Sequence, residues 1–186
     1  QENDSSALTV WGMFRDANKN PKIILLYAWD EKLELPELVR RIIDTCTVDS
    51  RPIAHPRFQV DKLLIEAKAS GLSASQEIRR IIGFNGKFGI ELVNPSKQGD
   101  KVARAHSVLH LFSDGMIYRP IRAWSDRVVD QGAVFPKGSK DDLVDSTTMA
   151  LRHLRDHGFA LRRDESEYDM EQELLYKPKP MALYPC

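Results

Sequence analysis

The stretch 60-VDKLLIEAKASG-71 decides how the rest of the chain is read. Leu63, Leu64 and Ile65 run without the polar alternation of a half-exposed strand. They end on a carboxylate, Glu66, with a glycine five residues further on. Such a run predicts a central, buried strand that passes into a functional loop. Upstream, 6-SALTVWGMFR-15 is rich in β-branched and aromatic residues and predicts a strand. The turn-forming DANKNP follows, and 22-KIILLYAWDEKL-33 predicts a second, more buried strand, so the two make an antiparallel hairpin. From Glu34, ELPELVRRIIDTC places Leu35, Leu38, Val39, Ile42 and Ile43 on one helical face, with Pro36 tolerated in the first turn.

Downstream of the central strand, SASQEIRRII predicts a helix capped by Ser73 or Ser75, with Glu77 placed for reciprocal capping. A further strand is expected within 86-GKFGIELV-93. In 100-DKVARAHSVLHLFSDG-115, Val102, Ala105, Val108 or Leu109, and Phe112 make a helical stripe that Gly115 stops. MIYRP reads as a short strand, followed by a loop and then a helix over about 141–157. Helices alternating with strands that begin as a hairpin imply an α/β domain with a mixed sheet. The expected domain spans 1–158, and 159–186 reads as a charged, Pro-rich tail.

Composition narrows the function classes. With 42% hydrophobic and 29% charged residues, the chain of 186 residues is an ordinary globular domain with a sizeable core. The sequence contains no membrane span and no signal-peptide pattern, which leads to an intracellular expectation. Two cysteines, Cys46 and Cys186, make neither a disulfide framework nor a cysteine zinc site. The balance of 27 basic against 27 acidic residues excludes a grip on nucleic acid by bulk charge, but leaves room for local basic patches.

Chemistry concentrates in 133-AVFPKGSKDDLVDSTTMAL-151. Leu143, Thr147, Ala150, Leu151 and Leu154 share one helical face, and Asp141, Asp142 and Asp145 project away from it. One acid at a helix start caps the helix or complements its dipole, and Ser139 or Asp141 would serve. Three acids repel one another, and a cation held among them relieves that repulsion. Hard divalent ions such as Mg²⁺ need only two or three carboxylates, because they keep several waters. Glu66 either turns a strand-end charge into solvent or joins the aspartates in a site of the kind that drives phosphodiester hydrolysis. Lys68 reads as a phosphate contact or a plain loop lysine. Lys87, Lys97, Lys101 and Arg104 read either as a track for a DNA backbone or as a solvated helix face. His106/His110 and His153/His157 are i, i+4 pairs without the HExxH glutamate or a third ligand near in sequence, so they read as surface histidines. The segment 83-GFNGKFG-89 lacks the spacing and hydroxyl of a P-loop, so no ATP site is expected.

Four blocks in order, ENDSSALTVWG, LLIEAKASG, DKVARAHSVLHLFSDGMIYRP and FPKGSKDDLVDSTTMALRHLR, resemble the C-terminal nuclease domain of tailed-phage large terminase subunits. The resemblance covers about residues 1–157, and its most specific part is the Pro-containing loop followed by a double Asp and a further Asp opening a helix. It implies a ribonuclease H-like fold and an endonuclease that cuts concatemeric double-stranded DNA in the host cytoplasm with two Mg²⁺ or Mn²⁺ ions. It also implies three partners: the ATPase domain, the small terminase subunit and the portal. By resemblance Glu66 is the second of three acids. The third comes from DDLVD: Asp142 first, then Asp145 on the same flank, then Asp141. The family's first acid stands on a strand ahead of the segment matching 2-ENDSS-6, so that strand is expected to be missing or truncated here, and Asp4 does not replace its ligand. A base-reading motif is not found, and backbone contacts carry no sequence information. Two rival expectations stand beside this one. The first is a non-catalytic module of the same fold that docks DNA or the portal. The second is a Holliday-junction-resolvase-type nuclease, normally dimeric; the isolated terminase domain is expected to be monomeric.

Overall fold

The computed structural model describes residues 5–48, 55–83, 88–94 and 99–160. Strand β1 (Ser6–Arg15) and strand β2 (Pro21–Glu31) form the expected antiparallel hairpin, paired from Ser6↔Glu31 to Arg15↔Pro21 with one irregularity between Val10 and Trp11. The Asp16 carboxylate builds the turn by accepting from the amides of Asn18 and Asn20, each at 2.9 Å. This is the local bonding that makes Asp a turn former. Helix α1 (Leu35–Cys46) follows, then β3 (Lys62–Glu66), α2 (Ala69–Ile82), β4 (Gly89–Val93), α3 (Lys101–His106), α4 (Leu109–Ser113), β5 (Ile117–Tyr118), α5 (Ala123–Val134) and α6 (Asp142–Asp156).

The α/β class holds, but the strands form two sheets rather than one. The first is mixed, in the order β1-β2-β5, with β5 parallel to β2; the second is the parallel pair β3-β4, in register from Lys62↔Gly89 to Glu66↔Val93. One of two cores nevertheless spans both sheets. Leu8, Val10, Tyr27 and Trp29 from the hairpin meet Val39 and Ile42 of α1, Leu63 and Ile65 of β3, and Ile78 of α2. Cys46 lies in the same core, where burial pushes its thiol up to about 12 and keeps it inert. Ile23 of β2 belongs to a second core, with Val108, Leu111, Met116, Leu151 and Ala160. Helix α1 thus covers one face of the hairpin while α4 and α6 cover the other, the layering that buries both faces of a sheet. Ala160 belongs to this core, while the expected tail from 161 onward lies outside the described residues.

Several local expectations are corrected. Helix α2 begins at Ala69, directly off the strand, so neither Ser73 nor Ser75 caps it. Ser75 is buried in the helix and donates to the Leu72 carbonyl, while Glu77 pairs with Arg80. The stretch 100–115 splits into α3 and α4 at Ser107–Val108, and the break turns the apolar face. Val108 and Leu111 are buried, whereas Leu109 and Phe112 are exposed. Gly115 does stop the second helix, at φ 62°. The segment expected as loop contains α5. Its apolar residues do not make a clean face, and it is held instead by single anchors. Trp124 sits edge-on to Tyr27, with ring centroids 5.4 Å apart. Ser125 is fully buried with its hydroxyl on the Pro120 and Arg122 carbonyls, and Arg127 pairs with Asp30 at the end of β2. On α6 the buried face is Leu143, Val144, Thr148 and Leu151 rather than one running through Thr147.

Candidate active site

Glu66 is the last residue of β3, as its position after the apolar run requires. The turn beyond it is tight. The Ala67 amide donates to Val93 at 2.7 Å, and the Lys68 amide donates back to the Glu66 carbonyl at 2.9 Å. Gly71 then passes so close that a Cβ there would lie 2.0 Å from the Glu66 carbonyl oxygen. No side chain fits that gap, so glycine is what lets α2 start directly behind the strand end. The Glu66 carboxylate pairs with Lys68 at 3.1 Å.

The three aspartates stand where α6 begins. Asp141 occupies the N-cap position but makes no side-chain hydrogen bond to the helix amides. Gln131 of α5 takes over part of that task by accepting from the Leu143 amide at 3.1 Å. The carboxylates serve a different purpose. Lys101, the first residue of α3, places its ammonium 2.5 Å from Asp141 Oδ2 and 2.7 Å from Asp145 Oδ2, and Arg104 lies 3.9 Å from Asp145 Oδ1. Asp100, the residue before Lys101, fixes the start of α3 by accepting from the Ala103 amide at 2.7 Å. Burial lowers the affinity of Lys101 for its proton, but its bonds to Asp141 and Asp145 outweigh this and hold it above the ordinary lysine range. Asp142 lies beside this pair and is raised, first by burial and then by the charge of Asp141.

The divalent ion expected among the three acids is a separate matter: in this structure the ammonium of Lys101 relieves the repulsion between Asp141 and Asp145. Of the residues expected to follow a DNA backbone, Lys68, Lys101 and Arg104 all face acids, while Lys97 and Lys87 lie outside the described residues. Glu66 does not join the aspartates in a tight ligand group. Among the described residues the one set of three such side chains with ligand atoms all within 4.8 Å of one another is Glu91, His153 and His157. The sequence predicts surface histidines here; the structure instead brings them a partner from β4, 62 positions before His153. Only the i, i+4 spacing of the pair was visible in the sequence. His153 is held below the ordinary histidine range by burial and by His157, with Glu91 acting in the opposite direction.

The other pair, His106 and His110, is not part of any such set among the described residues. No helix among the described residues is long and apolar enough to cross a membrane. The chain matches no family model, no curated protein and no solved structure.

Proposed function

We propose that this chain is a ribonuclease H-like, divalent-metal-dependent endonuclease domain of the phage large-terminase kind, hydrolysing phosphodiester bonds of double-stranded DNA. The observation that carries the proposal is the start of α6. Three carboxylates gather there, the N-cap acid leaves the helix amides alone, and a cation sits between two of them. A site that serves only to cap a helix has no need of that cation. The donor set, oxygen only and multiply anionic, suits Mg²⁺ or Mn²⁺. Asp142, Asp145 and Asp141 would hold the ion or ions; the family resemblance adds Glu66, whose carboxylate stands apart from the aspartates at the end of β3 in this structure. When bound, the metal supplies an activated water and a counter-charge for the leaving oxygen.

The protein's own groups have distinct tasks in this reading. Asp142 is the half-buried acid next to the Lys101–Asp141 and Lys101–Asp145 pairs, where a divalent ion would offset its burial and the charge of Asp141. Lys101 neutralises Asp141 and Asp145 in the metal-free chain, and were a metal to take its place it would be available to a phosphate of the backbone. Gly71 holds Glu66 at the strand end. The sheet arrangement supports the same reading. Strands β1 and β3 each end a sheet, yet their side chains Leu8, Val10, Leu63 and Ile65 share one core. A ribonuclease H-like fold places a further strand, bearing the first acid, between two such edges. The ATPase domain, the small terminase subunit and the portal are the partners this reading implies.

The test is a plasmid-nicking assay with Mn²⁺, run on the chain and on Asp142→Ala and Glu66→Ala. Nicking by the unaltered chain that both variants lose is the expected result. No nicking at all, or variants that cut as well as the unaltered chain, overturns the assignment.

A further inference from the structure

The far end of α6 carries a second group of side chains that phosphodiester chemistry at the aspartates does not use. His153 and His157 stand one turn apart with ring centroids 4.0 Å from each other. Glu91 reaches them from β4, with Oε1 3.8 Å from His153 Nδ1, while Lys62 holds the other oxygen, Oε2, at 3.0 Å. One ligand atom from each of the three lies within 4.8 Å of the others. The group lines an open cavity of about 350 Å³, together with Met149, Arg152 and Asp156.

We propose that Glu91, His153 and His157 form a transition-metal site of the zinc class, separate from the acidic cluster. Donor chemistry comes first. Two imidazole nitrogens and one carboxylate suit Zn²⁺ or Co²⁺ and are a poor match for Mg²⁺ or Ca²⁺, which take oxygen ligands. The surroundings are those of a ligand set held in place. His157 Nδ1 lies 2.8 Å from the His153 carbonyl. As the donor in that bond it fixes the tautomer and leaves Nε2 with a free lone pair, the outer bond that metal-binding histidines usually make. Lys62 does the equivalent for Glu91 by occupying Oε2 and leaving Oε1 facing the rings. Three protein ligands and an open cavity leave a fourth position for water, the make-up of reactive rather than purely structural zinc sites. The ion would also tie the β3-β4 sheet to α6, which packs on the hairpin through Thr9 and Ser146.

The inference does not rest on the nuclease reading, and its test does not require cleavage. Titration of the unaltered chain with Zn²⁺ by calorimetry, and with Co²⁺ by visible absorption, should show one ion per chain. Thermal unfolding should rise by about 5–10 °C at roughly 100 times the dissociation constant, since the ion binds only the folded chain. His157→Ala and Glu91→Gln should each weaken binding by about tenfold or more, a loss at least as large as removing an outer-shell partner. His157 is exposed, so its removal leaves the core untouched. His106→Ala/His110→Ala and Asp142→Ala should bind Zn²⁺ as the unaltered chain does. The proposal is overturned if the chain shows no saturable binding of one ion, or if His153→Ala/His157→Ala binds as tightly as the unaltered chain.

Discussion

The two ends of α6 solve opposite electrostatic problems. At its start, three aspartates crowd together and a lysine from α3 sits between two of them, 2.5 and 2.7 Å away. At its end, two histidines share the cavity with one glutamate, and a lysine from β3 occupies only that glutamate's outer oxygen. The first end has negative charge in excess and fills the position between its acids with an ammonium. The second has nearly balanced charge and leaves its nitrogen and oxygen lone pairs facing one another. Under the two proposals the start would take a hard cation in place of the lysine, and the end a borderline one among its nitrogen and oxygen ligands.

The largest effect that would break this comparison is on catalysis. Asp142→Asn should reduce Mn²⁺-dependent nicking by about 10²-fold or more, the scale of losing one electrostatic contributor to a charged transition state. It should leave Zn²⁺ binding at the other end unchanged. If both fall together, the two ends are one site. Next in size is Gly71→Ala. With its Cβ 2.0 Å from the Glu66 carbonyl oxygen, the variant has to push α2 off the strand end. A loss of about 1–3 kcal/mol in denaturant unfolding is expected, the range for overpacked sites. Nicking should drop while Zn²⁺ affinity holds.

A smaller effect is read through pH. The Asp142 carboxyl lies above its ordinary 3.8 in the folded chain, through burial first and the charge of Asp141 second. The folded chain therefore binds that proton more tightly than the unfolded chain does, and this group's contribution to stability falls as pH rises from 3.8 through the raised value. Lys101→Met removes the ammonium that opposes this, so Asp142 should titrate higher still. The variant should lose about 1 kcal/mol at neutral pH, the upper end for partly screened ion pairs, and recover most of it in acid. Thermal unfolding across pH checks both the slope and its steepening. Smallest of all, His157→Ala should barely change unfolding of the metal-free chain, because the ring is exposed and packs chiefly on His153. Its one clear consequence should be loss of the Zn²⁺-induced rise, which separates a ligand from a packing residue.

Much of the frame was legible in the residues themselves. The hairpin, α1 and the strand ending at Glu66 follow from apolar or β-branched runs bounded by turn formers, but the strand expected at the centre of a sheet is one of only two in its sheet, with every second residue buried. Helix α5 was not legible, because one half-buried tryptophan and one buried serine hydroxyl hold it rather than a repeating apolar face. The division into two sheets was not legible either, since strand pairing depends on which edges meet in space.

At the acidic end the sequence by itself determined that three like charges share a helix start and that a nearby cation would relieve their repulsion. Only the tertiary structure decided that α3 brings Lys101 to supply one. At the histidine end the sequence determined that His153 and His157 share a helix face, because a period of 3.6 residues makes i and i+4 neighbours. Helical periodicity does not reach across to another element. The third ligand had to come from Glu91 on β4, and the packing of the β3-β4 sheet beside α6 is what places it there.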